Sequence, residues 1–366
     1  MEIIDVLKKI EENGFQVYIV GGYVRDYLLG RETFDVDICT NATVLDLLNL
    51  FDNVSSYSLE FGNVKLFFEK YNFDITSLRK EVYQSSRRDV VISFVDDIKV
   101  DVNRRDFTMN CLYMNSAGKI IDLVNGRRDI NEHIIRCNGD IKSKMTEDPL
   151  RILRAIRFAT VLNFDLEDEL YFFMKNNGML LKNISTLRIK EELEKIFLSD
   201  NIIKGLFYLS DLNLWRYMGI SFEKISKVNN LYGMFAQFNL SREYPFRKEE
   251  LNYINDLKYI VSCGKIDEMI IYKYGIEKSL ISGKIMGVDQ INIYNIYDNM
   301  IIKCESDIKI TKFDIYNLFE GKVKRIDKIF DELAFLILKG LLLNQEKIIE
   351  EYLLSNREKW LCEGKN

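Results

Sequence analysis

The sequence predicts an α+β fold, with an N-terminal head built on a mixed β-sheet and an all-helical remainder. Short apolar, β-rich runs recur through residues 1–135. Turns rich in glycine and asparagine separate them. From about residue 146 onward the apolar positions recur instead with the 3.6-residue period of helices. In order, the strand-like runs are Val17 to Val20, Val36 to Ile38, Val64 to Phe68, Phe73 to Thr76, Val90 to Phe94 and Cys111 to Met114. The clearest helical stretches are Pro149 to Thr160, Ile189 to Phe197, Arg325 to Leu342 and Gln345 to Leu354.

Composition narrows the function classes. The chain has 366 residues, 47% hydrophobic and 29% charged, an ordinary globular balance that can bury a sizeable core. A net charge of −5 from 51 basic and 56 acidic residues excludes a grossly basic coat, but not a local basic groove. Only Pro149 and Pro245 are prolines, which excludes a proline-rich linker. His133 is the single histidine, so no histidine-cluster metal site is possible, and a Ser-His-Asp triad would have to use it. None of the six cysteines forms a C-x-x-C pair. They read as reduced, mostly buried thiols of a cytoplasmic protein rather than zinc ligands. The start, Met1 to Ile10, is amphipathic and carries acids, unlike a signal peptide, and no run of about 18 apolar residues suggests a membrane contact.

Within Phe34-Asp35-Val36-Asp37-Ile38, strand periodicity places Asp35 and Asp37 on one face. Two carboxylates this close repel, and a pair of divalent metal ions would hold them; taken alone, the pair fits solvated edge-strand acids better. Upstream, Gly21-Gly22-Tyr23-Val24-Arg25-Asp26 follows the first strand directly. Strand, glycines, then helix makes an anion cradle in which backbone N–H groups approach phosphate and Arg25 adds charge. A plain strand-to-helix turn is the alternative. Asp74 lies on another apolar strand and is either a third metal ligand or a half-exposed strand residue.

Thr146-Glu147-Asp148-Pro149-Leu150-Arg151 reads as a helix start with Thr146 as N-cap. Arg151, Arg154 and Arg157 then follow at three-residue spacing, forming a stripe on one side. Asp accepts only and Arg donates only, and as i, i+3 neighbours Asp148 and Arg151 can hold one another in place. Cytosine and adenine each present an amine beside a ring-nitrogen acceptor, whereas uracil and guanine present the reverse. An Asp148–Arg151 pair would therefore accept C and A, leaving Arg154 and Arg157 free for a triphosphate. A solvated arginine face with a capping acid is the plainer alternative. In Asn103-Arg104-Arg105-Asp106, an extended segment would point one arginine at a ligand and the other at an acid, or it is a surface charge cluster. Asp122 to Asp129 reads as a structural turn.

In this order the residues resemble the class II tRNA nucleotidyltransferase and poly(A) polymerase family, most closely the bacterial CCA-adding enzymes. The resemblance rests on Gly21 to Asp26, Asp35-Val36-Asp37, Arg104 to Asn110, and Glu147 to Arg151 with Arg154 and Arg157. It continues more weakly through Ile184 to Leu193. It implies a catalytic head (residues 1–135), a helical neck carrying the base-reading helix (136–200), a helical body (201–270) and a tRNA-binding helical tail (271–366). It implies that Asp35 and Asp37 bind catalytic Mg²⁺ and that Gly22, Arg25 and Arg105 contact the nucleotide. Asp148 and Arg151 would read the base, with Arg154 and Arg157 helping to hold the nucleotide. The implied reaction is template-independent addition of CCA to tRNA from CTP and ATP, with no protein partner and no membrane. The chain departs from the family pattern at Leu187, Leu123 and Cys111, where an acid, a proline and an alanine are usual. None of these is a metal ligand or base reader. The polar stretch from Thr76 to Ser93 has the length of the flexible loop that CC-only relatives lack. An A-adding enzyme, a poly(A) polymerase and a non-catalytic RNA-binding protein on the same scaffold are the alternatives. Lys322, Lys324, Arg325 and Lys328 form a basic cluster that either contributes to RNA binding or is a solvated helix face.

Overall fold

A computed structural model describes residues 2–68, 70–83, 90–323 and 325–361. The chain divides by its internal contacts into two units, Met1–Ile220 with Leu240–Tyr244, and Ser221–Asn239 with Pro245–Asn366.

The first unit opens with α1 (Ile3–Glu12), β1 (Val17–Val20), α2 (Gly22–Leu28), β2 (Asp35–Thr40), α3 (Val44–Leu50), β3 (Val54–Ser58), β4 (Asn63–Phe68) and β5 (Tyr71–Ser77). It continues with β6 (Arg79–Tyr83), β7 (Val90–Phe94), α4 (Ile98–Asp101), a 3₁₀ turn (Val102–Arg104), β8 (Leu112–Met114) and β9 (Ile120–Asp122). Helices α5 (Gly126–Glu132), α6 (Ile141–Glu147), α7 (Leu150–Leu162), α8 (Asp168–Asn177) and α9 (Thr186–Phe197) follow.

Seven strands form one mixed sheet in the order β3-β4-β5-β2-β1-β8-β9. Only β2 and β5 run parallel, and their register sets Asp37 beside Asp74. Alternation drives this placement. Val36 and Ile38 are buried while Asp35 and Asp37 point the other way. Val20, Cys39, Leu78, Val102, Cys111 and Tyr113 pack into a core of the head. Helix α7 buries ten of its thirteen residues, including Leu153, Ile156 and Phe158. In the second unit, Ile315, Phe319, Ile329, Phe330, Leu333, Ile337, Ile349 and Leu353 form a separate core.

The α+β class stands, as do the six strand-like runs and the four helical stretches. Strands β3, β6 and β9 were not legible, and a two-residue parallel pair (Ile134–Ile135 with Asp165–Leu166) interrupts the helical part. Thr146 is not an N-cap: it lies inside α6, and Asp148 and Pro149 break the chain before α7. The stretch from Thr76 to Ser93 is not simply a loop. Arg79, Lys80 and Glu81 belong to β6, which pairs antiparallel with β7 from Arg79–Phe94 to Tyr83–Val90. Arg87, Arg88 and Asp89 lie outside the described residues, as do Lys324 and Cys362. The other five cysteines are free thiols. His133 ends α5 in a left-handed conformation and sets its ring on Phe164, 4.9 Å between centroids. Among the described residues, no helix is long and apolar enough to cross a membrane.

Candidate active site

A cleft of about 660 Å³ opens beside the ends of β1 and β2. Its walls come from the β1–α2 turn, β2, β6, the Arg104–Asn110 segment, α7 and α9. Gly22, Arg25, Asp37, Arg105, Asp148, Arg151, Arg154 and Arg157 all line it. Residues up to 135 positions apart in sequence, Gly22 and Arg157, are thereby brought to one place. Asp35 does not line it. It sits exposed at the start of β2 and accepts a 2.9 Å hydrogen bond from Asn72 Nδ2. Among the described residues, nine basic and six acidic side chains line the cleft, so an acidic chain focuses positive potential there.

The acidic end is tight. Gly21 has φ +73°, a region L side chains rarely adopt, and a Cβ there would stand 3.0 Å from Asp37 Oδ2. The Gly22 N–H hydrogen-bonds the Asp37 carboxylate. That donor therefore orients the acid, in contrast with the expectation that it faces phosphate. Asp37 is open to the cleft yet has protein on most sides. Burial first, then the Asp74 charge, raises its pKa, with Arg105 opposing. A carboxylate set beside a second acid offers oxygen ligands, which suit a hard divalent cation such as Mg²⁺. Asp35 and Asp37 would hold it, and Asp74, paired with Lys65 at 3.5 Å, stands next to Asp37. Among the described residues, no group of three or more His, Cys, Asp or Glu side chains is arranged as a complete cage, so substrate oxygens would have to complete the shell.

The basic side is held from behind. Arg25 donates to both Asp26 oxygens (3.0 and 2.8 Å) and to Asn110 Oδ1 (2.7 Å). Arg104 and Arg105 do not point to different sides, as an extended segment would have them. Residues 98–104 are helical, and both guanidiniums converge on Asp101, at 2.7 Å for Arg104 Nε and 2.8 Å for Arg105 Nη2. Tyr113 Oη also donates to Asp101 (3.0 Å) and accepts from Arg105 Nε (3.1 Å). Burial would raise the Asp101 carboxyl, but Arg105 and Arg104 outweigh it and bring it down to about 2. Arg154 and Arg157 are not free either. Arg154 donates to Asp106 at 2.8 and 2.5 Å, and Arg157 pairs with Glu192 at 2.7 Å. The reason is physical: a guanidinium removed from water needs an acid beside it. Asp106 is pushed well below the usual carboxylate range, with burial opposed by Arg154 and by hydrogen bonds from Arg154 and Asn110. The rings of Phe158 and Phe107 meet edge-on at 5.7 Å, and Arg25, Arg154 and Arg157 crowd the Phe158 ring within 5.5 Å.

At the far end, Asp148 and Arg151 are both buried. Both Asp148 oxygens accept from Arg188 Nη2 at 3.2 Å. Arg151 donates to the carbonyls of Lys144 (2.7 Å) and Arg104 (3.1 Å) and to Glu147 Oε2 (3.3 Å). Sequence reasoning missed Asp101, Arg188 and Glu192 as supports. Asp101 was available as an acid three and four residues before the arginines, had the segment been read as helical.

Residues 17–136 match the poly A polymerase head domain family, and residues 163–219 match the family described as "Probable RNA and SrmB- binding site of polymerase A". The CCA-adding enzyme of Ligilactobacillus salivarius is 31% identical, with 94% of each chain covered. That of Staphylococcus haemolyticus is 33% identical, covering 88% of this chain and 82% of the relative. The fold is similar to that of the Bacillus stearothermophilus CCA-adding enzyme solved with CTP (TM-score 0.78, 21% identity, 98% and 97% covered). It is also similar to that of the Thermotoga maritima CCA-adding enzyme solved with tRNA (TM-score 0.69, 21% identity, 96% and 94% covered). The chain belongs to the CCA-adding enzyme family of nucleotidyltransferases.

Proposed function

We propose that this chain adds CCA to the 3′ end of tRNA, taking CTP and ATP as substrates and Mg²⁺ as cofactor. One observation carries the reading: Asp37 and all seven candidate nucleotide-contacting residues line a single cleft with an excess of positive charge. In nucleotidyl transfer the RNA 3′-hydroxyl attacks the α-phosphate in line, so the protein's contribution is positioning and charge. Bound at Asp35 and Asp37, Mg²⁺ supplies Lewis-acid stabilisation of the phosphate oxygens.

The chain's own residues do the rest. The Gly21 turn and the Gly22 N–H fix the Asp37 carboxylate toward the cleft. Arg25 and Arg105, held by Asp26 and Asp101, present charge to the nucleotide without having to reorganise. Arg154 and Arg157 extend this surface along α7. Asp148 accepts from the exocyclic amine of cytosine or adenine. Arg151 uses three of its five N–H groups on carbonyls and Glu147, which leaves Nε and one Nη2 hydrogen for the ring nitrogen. Uracil and guanine would set a carbonyl against Asp148 and an N–H against Arg151, leaving buried polar groups unpaired. The helices of residues 201–366 read as the part that holds tRNA through backbone phosphates. Lys322 is exposed and stands 3.1 Å from Glu320.

The test is extension of a tRNA transcript ending at its discriminator base, with Mg²⁺ and CTP or ATP, singly and together, resolved at single-nucleotide length. Two C additions with CTP, then one A when ATP is present, are expected. One A added only to transcripts already ending in CC would make the protein an A-adding enzyme. A long A ladder would make it a poly(A) polymerase, and no extension would leave a non-catalytic RNA-binding protein.

A further inference from the structure

Behind the cleft lies a polar contact that the reaction does not call for. Four consecutive carbonyls, Val102 to Arg105, accept hydrogen bonds from the side chains of Asn138, Lys144 and Arg151. Asn138 Nδ2 donates to the Val102 carbonyl (2.6 Å) and, longer, to that of Arg105 (3.4 Å). Lys144 Nζ donates to the carbonyls of Asn103 and, at 3.2 Å, Arg105. Arg151 takes the one between them, on Arg104. Arg151 also donates to the carbonyl of Lys144 itself at 2.7 Å. The guanidinium at the base-facing end and the segment that carries Arg105 are therefore fastened to each other, with Lys144 as the shared piece.

Lys144 is buried and does not line the cleft. Burial, then the neighbouring Arg151 charge, lowers its pKa from the usual lysine value, which shows what the placement costs. A Leu or Met of similar volume would fill the space without desolvating an ammonium. A buried cation spent on two backbone carbonyls serves geometry rather than packing.

We propose that Lys144 is a positioning residue for nucleotide choice: it holds Arg151 in register with the Arg104–Arg105 segment, so that base and phosphate are gripped by one rigid piece. The inference rests on the base-reading role proposed above. Without the ammonium, the Asn103 and Arg105 carbonyls lose a partner and the Arg104 carbonyl shifts relative to α6. Arg151 then loses its fixed setting, and its donors follow whichever base edge is offered. Discrimination falls while chemistry on the correct nucleotide persists.

The experiment compares full-length wild type with Lys144→Met, Lys144→Arg and Asp148→Ala, measuring kcat/KM for single additions of CTP, ATP, UTP and GTP to tRNA. In Lys144→Met, discrimination of CTP over UTP is expected to fall about tenfold, the effect of losing roughly one buried hydrogen bond. Lys144→Arg restores most of it. A merely structural role would lower all four nucleotides by one common factor, and that result overturns the inference. If Asp148→Ala relaxes the choice while Lys144→Met leaves it unchanged, the inference fails and base reading stands. If neither relaxes it, base reading fails and the inference with it. Lys144→Gln, which keeps an N–H donor but lacks the reach, carries the same expectation should Lys144→Met not fold.

Discussion

Replacing Gly21 by Ala tests whether backbone geometry positions the acid at the reacting end. Gly21 has φ +73° and ψ −133°. Holding an L residue in so sparsely populated a region costs on the order of 1–3 kcal/mol. A Cβ would also come within 3.0 Å of Asp37 Oδ2, so the carboxylate must give by a few tenths of an ångström. Strain alone lowers Tm by about 2–4 °C for each kcal/mol in a unit of this size. The displaced carboxylate acts on turnover separately, because shifts well below 1 Å at a reacting centre cost about tenfold or more. Thermal unfolding and single-nucleotide extension on the same preparation separate the two effects. The expected result is a Tm lowered by several degrees together with kcat reduced at least about tenfold. A lowered Tm with kcat within twofold of wild type would refute the claim that this turn sets Asp37. No change in either would refute the strain argument too.

Three further outcomes follow from the same geometry. Asp37→Asn removes a carboxylate whose pKa is raised by burial and by Asp74, a group whose ionisation at neutral pH costs stability. In EDTA its Tm should equal or exceed that of wild type, and added Mg²⁺ should raise the Tm of wild type only; a Tm well below wild type in EDTA contradicts this. Asp101 has the opposite sign. Its carboxyl lies at about 2 in the folded protein, below the usual 3.8, so its stabilisation is complete above about pH 4 and is lost as pH falls toward 2. That shift corresponds to about 2 kcal/mol. The gap in urea midpoint between wild type and Asp101→Asn should close over that window, and a gap unchanged from pH 7 to pH 2.5 would refute it. Arg154→Ala leaves Asp106 buried without its cation, which costs about 3–5 kcal/mol and should exceed the cost of the double variant Arg154→Ala/Asp106→Ala. A double variant that costs as much as Arg154→Ala, or more, would refute the claim that Asp106 is left stranded.

How much of this was legible in the sequence depends on the range of the interaction. Period-2 alternation put Asp35 and Asp37 on one face of β2, and 3.6-periodicity placed α7 and α9, because burial acts residue by residue along an element. Partner choice across elements was not legible. Nothing local in Arg154 names Asp106, 48 positions away, or in Asp148 names Arg188, 40 positions on. Those pairs exist because a cleft rich in arginine must be neutralised from behind before it can be buried. The Arg104–Arg105 segment was misread for a local reason: Asp101 ends α4 and the 3₁₀ turn follows, so spacing that looked extended is helical. Strands β3 and β6 escaped because their polar, half-exposed residues carry little apolar alternation.

The most direct test of the account is extension of a CCA-less tRNA by Asp37→Ala beside wild type, with Mg²⁺, CTP and ATP, measured together with tRNA binding. The expected result is CCA addition by wild type, no detectable addition by the variant, and tRNA affinities within about threefold of each other, as RNA held through backbone phosphates would give. Turnover retained in the variant would contradict it.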